Sequence, residues 1–364
     1  MYLNNCLNSS SPKNEWCTEP SMVRFQFVFN VFIVGLIIIF GFVGNFISIL
    51  VLKKDWKRSS MNVLLCTLAV YDVLFLLLSS YYIVFARGII IYFSHLLPEL
   101  SKNFISLTWY LGNVTRYGRN WIAVSVALDR FIMVRNPFRA HQRNTSFRAQ
   151  IVSASIAFAT FVYNIPRFWD YAKAWDKRTC KWIIIMNPNL SNFHKYVYNI
   201  ILQMLIMIYG PMILLIVFNS LLTISLVRAK NVRQSLMAKQ NQARPSGQME
   251  TKMLIVVIGV FLFTELPSSI LQAITTKNCF IYRILIPICD GLTILNSSIN
   301  FVIYSMCGQR FRENLRKMFF KTNRDQDLLN RQKNFNTNVT ILSMKKQNNV
   351  NSKDDNFSFD NTEN

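Results

Sequence analysis

Long apolar runs recur along the chain, and polar stretches separate them. A helix needs roughly 20 apolar residues to cross a lipid bilayer, and each run is about that long or longer. The pattern predicts seven spanning helices, numbered here as spans one to seven: residues 25–52, 61–86, 104–134, 149–169, 196–227, 253–276 and 284–306. The expected fold is an all-α membrane protein, with a seven-transmembrane helix bundle over residues 25–307.

The segments outside the bundle are polar. Residues 1–24 precede the first span, and residues 321–364, rich in Asn, Lys, Asp and Ser, have the composition of a disordered tail. Between span seven and this tail, residues 308–320 place Phe311, Leu315 and Met318 on one helical face, opposite basic residues. This arrangement predicts a short amphipathic helix on the membrane surface.

Composition and charge support a membrane protein and orient it. Hydrophobic residues make up 52% of the chain, which is high for a soluble fold, and the net charge is +22. Lys and Arg cluster after spans one, three, five and seven, so this side is expected to be cytoplasmic and the N-terminus extracellular. One external segment, 167–195, is also basic, and we interpret it as an extracellular lid. We attribute the positive net charge to the basic residues that orient the spans and contact anionic lipid, and no nucleic-acid partner is expected.

Cysteines and glycosylation sequons also divide between the two environments. Sequons predict glycosylation at Asn8 and Asn189 on the outside, whereas those at Asn113 and Asn296 lie within spans. Four cysteines are expected to face the oxidising exterior: Cys6, Cys17, Cys180 and Cys279. Four cysteines allow three disulfide pairings, or some can stay free, and the sequence does not choose among these alternatives.

Charged residues inside the spans are the main functional candidates. Each costs roughly 2.5 to 3.5 kcal/mol at the bilayer centre, so such residues usually face the bundle interior and form pairs. They are Asp72 in span two, Arg116, Arg119, Asp129 and Arg130 in span three, Glu265 in span six and Asp290 in span seven. Because positions 112, 116, 119 and 130 share one helical face, span three is expected to be central.

Several motifs follow one another at matching depths. They are Gly44-Asn45 in span one, "LAVYD" ending at Asp72, "LDRF" from Leu128, Asn136-Pro137, Pro211, Phe261 with Pro267, and "NSSINFVIY" from Asn296. Together they resemble the rhodopsin-like G-protein-coupled receptors over about residues 25–320. Within that class, "YNIPRFW" (163–169) and "NSSINFVIYSMCGQRFR" (296–312) are similar to invertebrate FMRFamide and myosuppressin-type neuropeptide receptors.

The resemblance implies a plasma-membrane receptor that transmits binding of an extracellular peptide to a heterotrimeric G protein. Arrestin and kinases are expected at the tail, and no cofactor, metal or catalytic residue is expected. An internal relay is implied for Asn45, Asp72, Arg119, Phe261, Asn300 and Tyr304, and G-protein coupling for Asp129, Arg130, Pro137 and Phe138. Pro211 and Pro267 remove backbone hydrogen bonds and so give spans five and six places to bend.

The positions of the charged residues suggest which of them form ion pairs in the core. By family alignment Arg119 lies near Asp72, where many relatives hold a sodium ion, and a fixed guanidinium there would replace the ion. Arg116, about one turn further out, is expected to face Glu265. We therefore hypothesise two pairs, Arg119 with Asp72 and Arg116 with Glu265.

One acid remains after this pairing. Asp290 is the candidate contact for a cationic ligand such as an Arg-Phe-amide peptide, although it could instead pair with Arg116 or a loop lysine. By depth, the expected ligand-binding residues are Gly112, Asn113, Arg116, Trp169, Glu265, Ser268, Ser269, Gln272 and Asp290.

The chain also departs from the family pattern. Glu265 stands where a tryptophan is usual, Phe301 where a proline is usual, and Ile105 where a cysteine usually tethers the loop containing Cys180. Asn219 replaces a tyrosine, and Ile156 or Ala157 a tryptophan. These departures keep an orphan or constitutively active receptor open as an alternative.

Other function classes fit the sequence less well. Residues 284–306 contain no lysine for a retinal Schiff base, and Gly112 stands where amine receptors carry an aspartate. An enzyme is not expected, because His95, His141 and His194 are scattered and are interpreted as loop residues. A membrane transporter is the alternative from a different class, but no internal repeat is found.

Overall fold

The structure is a computed structural model of the chain. It describes residues 20–56, 59–90, 100–135, 145–176, 181–237, 259–271, 281–307 and 309–319. Several expectations lie outside these residues: those for Asn8, Cys6, Cys17, Pro137, Phe138, Cys180, Gln272, Cys279 and the tail after residue 320. By its contacts the chain divides into two units, Met1–Phe311 and Arg312–Asn364.

Helices occupy the predicted spans wherever the chain is described. Span one comprises Pro20–Val28, Phe29–Val34 and Gly35–Lys53; span two, Ser60–Ser79 and Ser80–Ile90; span three, Leu100–Arg135; span four, Ser146–Asn164 and Ile165–Trp169; span five, Phe193–Tyr209 and Gly210–Met237; span six, Gly259–Leu271; span seven, Ile281–Leu285 and Ile286–Cys307. A further helix, Gln309–Phe319, follows span seven. The pieces Phe29–Val34, Ser80–Ile90, Phe193–Tyr209 and Ile281–Leu285 are π-helical, and Ile165–Trp169 is a 3₁₀ helix.

Helix length and composition agree with membrane spanning. Five of the described helices, those of spans one, two, four, five and seven, are long and apolar enough to cross a bilayer. Span three is 36 residues long, but its charged residues lower its mean hydropathy. Span six is described over 13 residues, Gly259–Leu271.

A two-stranded antiparallel hairpin lies between spans four and five. Tyr171–Asp176 pairs with Lys181–Met186, in a register that sets Tyr171 opposite Met186 and Asp176 opposite Lys181. The basic composition of this segment predicts a lid, but its sequence pattern does not predict strands. The hairpin is a small β addition to the helical bundle, and it begins within two residues of the end of span four.

Span three is central, as predicted. It packs against spans two, four and five. Its Arg116 and Arg119 side chains reach Glu265 of span six, and Arg119 also reaches Ser297 of span seven. A helix in this position can join charges from several neighbours in one network.

Small residues let spans one and seven approach closely. A Cβ atom added to Gly44 would lie 2.8 Å from Cβ of Phe301, and one added to Gly41 would clash with Ser298. Phe301, which stands where the family usually has proline, thus packs against a glycine and also makes an edge contact with Phe311. The bulk of Phe301 is accommodated because Gly44 has no side chain.

Gly118 should be intolerant of even one added methyl group. Its missing Cβ would lie 2.6 Å from Cζ of Tyr71, whose rigid ring is buried between spans two and three. We expect Gly118→Ala to lower the free energy of unfolding by about 1 to 3 kcal/mol, because overpacking forces neighbours to move. Thermal denaturation of detergent-solubilised protein would measure this.

Gly35→Ala is the matched control for Gly118→Ala. A Cβ atom there meets nothing within 4 Å, so no loss of stability is expected. Equal melting temperatures for the two variants would contradict the close packing of spans two and three.

Candidate functional site

Glu265 of span six is the centre of a buried charge network. Nη2 of Arg116 donates to its Oε2 over 3.1 Å, and Nη2 of Arg119 donates to its Oε1 over 2.5 Å. Nδ2 of Asn296, from span seven, donates to the same Oε1 over 3.3 Å. The predicted pair of Arg116 and Glu265 is therefore present. This one carboxylate also holds spans three, six and seven together.

Arg119 joins Glu265 to the polar residues beneath it. Its Nη1 donates to the Ser297 hydroxyl and lies 3.8 Å from Oδ1 of Asp72. Its guanidinium also stacks over the ring of Phe75, with Cζ 5.0 Å from the ring centre. Both hypothesised contacts, Arg119 with Asp72 and Arg116 with Glu265, are therefore present. Arg119 also contacts Glu265, more closely than it contacts Asp72, so the two pairs form one network.

Asp72 is held mainly by an amide. Nδ2 of Asn300 donates to its Oδ2 over 2.7 Å, while its Oδ1 has no hydrogen-bond partner among the described residues. Nδ2 of Asn45 donates to the carbonyl oxygen of Ser297 over 2.9 Å. Asn45, Asp72, Arg119 and Asn300 are thus connected through Ser297, a residue for which the sequence predicted no role in the relay.

The remaining relay candidates lie elsewhere in the bundle. Phe261 packs against the cluster of Val124, Ala127 and Leu215 between spans three and five. The ring of Tyr304 lies 5.9 Å from that of Phe311. Tyr304 interacts electrostatically with Asp72 of the network. Phe261 lies on span six, the helix that carries Glu265.

The buried charges of this network balance. Glu265 and Asp72 contribute two negative charges, and Arg116 and Arg119 contribute two positive ones. The side chains of Glu265, Asp72 and Arg119 are at most 4% exposed. Buried ions are tolerated when their charges are compensated and hydrogen-bonded, so loss of any one member leaves an uncompensated charge.

Some predicted ligand-binding residues surround the outer edge of the network. Nη2 of Arg116 also donates to the hydroxyl of Ser268 over 3.1 Å. Asn113 and Ser269 are buried, but their side chains donate to backbone carbonyls of their own helices, at Trp109 and Glu265.

The other predicted ligand residues differ in burial. A Cβ atom at Gly112 would meet nothing within 4 Å, so there is room beside this turn of span three. Asp290 is partly buried and interacts electrostatically with Arg116. Trp169 is 59% exposed and so is not part of the buried core.

The opposite end of span three has its own contact. Oδ1 of Asp129 accepts a hydrogen bond of 2.9 Å from the hydroxyl of Ser60, at the start of span two. Asp129 is buried, whereas the neighbouring Arg130 is exposed. Asp129 therefore ties span three to span two, and Arg130 is accessible at the surface.

A second buried charge was missed by the sequence analysis. Arg167 is 2% exposed; its Nε donates to Oδ1 of Asn164 over 2.9 Å, and its Nη1 lies 3.6 Å from Oδ2 of Asp170. Its guanidinium also lies 5.8 Å from the ring centre of Tyr117 and 5.6 Å from that of Tyr198. Arg167 was counted only as part of the basic lid, although a charge beside Pro166 at the end of an apolar run is itself a signal.

Asp170 extends this second cluster to span five. Its Oδ1 lies 2.8 Å from Nε2 of His194 and accepts a hydrogen bond of 3.1 Å from Nδ2 of Asn199. The interpretation of His194 as a loop residue is wrong, because it lies in the first turn of span five. The cluster joins the ends of spans four and five.

Comparison with known proteins identifies the family. Residues 44–304, more than half of the chain, match the family described as 7 transmembrane receptor (rhodopsin family). The chain belongs to this family. The receptor is accordingly a multi-pass membrane protein, with spans three and six among its seven helices, and the transporter alternative has no support.

Several relatives of the receptor are invertebrate peptide receptors. It is 27% identical over 317 residues to the FMRFamide receptor of Drosophila melanogaster, an alignment covering 84% of this chain and 57% of that one. An FMRFamide peptide receptor of Caenorhabditis elegans is 24% identical over 77% of this chain and 66% of its own. The sex peptide receptor of Drosophila melanogaster is 26% identical over 55% of this chain and 51% of its own. The receptor thus spans little more than half the length of some of the relatives it matches.

Proposed function

We propose that the receptor binds an amidated, RFamide-like neuropeptide and transmits binding to a heterotrimeric G protein. The similarity to FMRFamide receptors supports the ligand class. The observation that carries the site is the position of Asp290, a partly buried carboxylate that interacts electrostatically with Arg116 of the buried charge network. A carboxylate there can bind a ligand guanidinium through a bidentate contact.

The signal passes inward along the buried charges. A ligand beside Asp290 and Arg116 changes the field at Glu265, and Glu265 lies two residues before Pro267 in span six. Because proline removes a backbone hydrogen bond, span six can bend there. Arg119 then carries the change to Asp72 and Asn300. Alternative arrangements of such a network are what a ligand can bias.

The remaining assignments follow the orientation given by the basic residues. The N-terminus, with Asn8, and the loop with Asn189 face the outside of the plasma membrane, and Asn189 is exposed. Asp129, Arg130, Pro137 and Phe138 form the G-protein side. The tail after residue 320 receives kinases and arrestin, and the amphipathic helix Gln309–Phe319 contacts lipid.

The test is ligand-stimulated nucleotide exchange in membranes from cells that express the receptor. A panel of amidated peptides should include an Arg-Phe-amide sequence that activates it. Asp290→Asn should weaken that peptide about 10- to 100-fold, because a hydrogen bond to a charged group contributes about 1.5 to 3 kcal/mol. Asp55→Asn, at the other end of the bundle, is the matched control and should leave potency unchanged.

Two outcomes would count against this function. If no Arg-Phe-amide peptide stimulates nucleotide exchange, although the receptor reaches the cell surface, the proposed ligand class is wrong. High nucleotide exchange without any peptide, unchanged by the whole panel, would favour the constitutively active alternative.

A further inference from the structure

Arg116 retains hydrogen-bonding capacity that the charge network does not use. A guanidinium has five N–H donors, and Nη2 of Arg116 serves both Glu265 and Ser268. Its Nε is buried and has no hydrogen-bond partner among the described residues. Its side chain is 12% exposed, against 3% for Arg119, and lies about one helical turn nearer the outside. Arg116 is therefore the arginine that a ligand entering from outside meets first.

The charges around Arg116 determine which chemical group at the end of the ligand can bind beside it. Arg116 is already paired with Glu265, which Arg119 also binds, and Asp290 acts on Arg116 electrostatically. An entering carboxylate would be repelled by Glu265 and Asp290 and would meet a guanidinium that is already paired, and burying such a charge is costly. A carboxamide is neutral, accepts through its oxygen and donates through two N–H groups. It satisfies both the unused donor of Arg116 and the acidic oxygens beside it.

We infer that Arg116 recognises the C-terminal carboxamide of the ligand. Together with Glu265 and Asp290, it disfavours binding of the corresponding free acid. Nε of Arg116 donates to the amide oxygen, and the amide N–H groups donate toward the neighbouring carboxylates. This inference rests on the proposed function and assigns its terminal specificity to one side chain. Asp290 continues to bind the guanidinium of the penultimate arginine.

The experiment compares two forms of one activating peptide that differ only at the C-terminus, carboxamide or carboxylic acid. The quantity measured is the ratio of their half-maximal concentrations in nucleotide exchange with the full-length receptor. This ratio is independent of expression level and of coupling efficiency. The wild-type receptor should prefer the amide by roughly 100-fold or more, since the acid loses a hydrogen bond and gains repulsion.

Two variants of Arg116 test the assignment. Arg116→Lys keeps the charge but lacks Nε and the planar fork, so the preference should fall at least tenfold. Arg116→Met with Glu265→Gln removes both partners together, which leaves the net charge of the core unchanged, and should have the same effect. Asp72→Asn is the control, since Asp72 lies deeper; both potencies should shift together and the ratio should stay constant.

The outcomes separate this inference from the proposed function. A preference for the amide that survives in both Arg116 variants overturns the role of Arg116 and leaves the peptide receptor standing. If neither form of any peptide activates the wild-type receptor, the proposed function is wrong, and so is the inference that rests on it. For variants that reach the surface but do not signal, competition of the two forms against a labelled amidated peptide gives the same ratio.

Discussion

Glu265→Gln is expected to destabilise the receptor by about 3 to 5 kcal/mol and to remove most of it from the cell surface. The substitution keeps the size of the side chain but leaves Arg116 and Arg119 without their closest counter-charge, in a core where Arg119 is 3% exposed. Surface labelling and thermal denaturation in detergent would measure the loss. Glu313→Gln, on the exposed face of the last helix, is the matched control and should behave as wild type.

Second substitutions test whether Glu265 is needed because it balances the charges of both arginines. Arg119→Met added to Glu265→Gln restores the charge balance and should recover part of the stability. Exchanging the charges at 116 and 265 should not, because an arginine at 265 would face Arg119, which contacts that position over 2.5 Å. Recovery by the exchange, or wild-type stability of Glu265→Gln alone, would contradict the shared role of Glu265.

The architecture could be predicted from the sequence because most spans are long and apolar, and because the charges within the others must find partners inside the bundle. The pairing of Arg116 with Glu265 followed from that rule and is present. The sharing of Glu265 with Arg119 did not follow. An arginine side chain can reach acids on more than one neighbouring helix, and hydrophobic periodicity does not fix how span six is rotated.

Other contacts were missed for different physical reasons. Asn296 and Ser297 belong to a sequon and to the motif "NSSINFVIY", and neither pattern predicts a contact with buried charges. The Asn296 side chain nevertheless donates to Glu265, and the Ser297 hydroxyl accepts from Arg119. Arg167 and Asp170 are only three residues apart, so their pairing could have been predicted from the sequence. His194 is 24 residues from Asp170, and only the packing of spans four and five brings these two side chains together. The hairpin Tyr171–Asp176 with Lys181–Met186 lacks the two-residue turn signal that usually identifies one.

Arg119→Met is expected to convert a sodium-independent receptor into a sodium-dependent one. The resemblance implies that relatives hold a sodium ion beside the residue corresponding to Asp72; here Nη1 of Arg119 lies 3.8 Å from Asp72 and also donates to Ser297. The wild-type melting temperature and agonist potency should therefore be equal in sodium chloride and in an equimolar salt of a bulky organic cation.

Without the guanidinium, Asp72 is a buried carboxylate whose Oδ1 has no hydrogen-bond partner among the described residues. Glu265 then keeps Arg116 as a counter-charge and Asn296 as a hydrogen-bond donor. Removing one partner of such a network costs about 3 to 5 kcal/mol, so Arg119→Met should lose most agonist-stimulated exchange in the organic salt. Sodium should restore part of its stability by binding to the oxygens of Asp72 and Ser297, since carboxylate and hydroxyl oxygens suit a hard cation. Arg119→Lys, which keeps a cation but cannot bridge Glu265 and Asp72 with a planar fork, should be less stable than wild type and remain insensitive to sodium. Equal sodium responses in the wild type and in Arg119→Met would mean that Arg119 does not occupy a cation site, and its role would then be confined to holding Glu265.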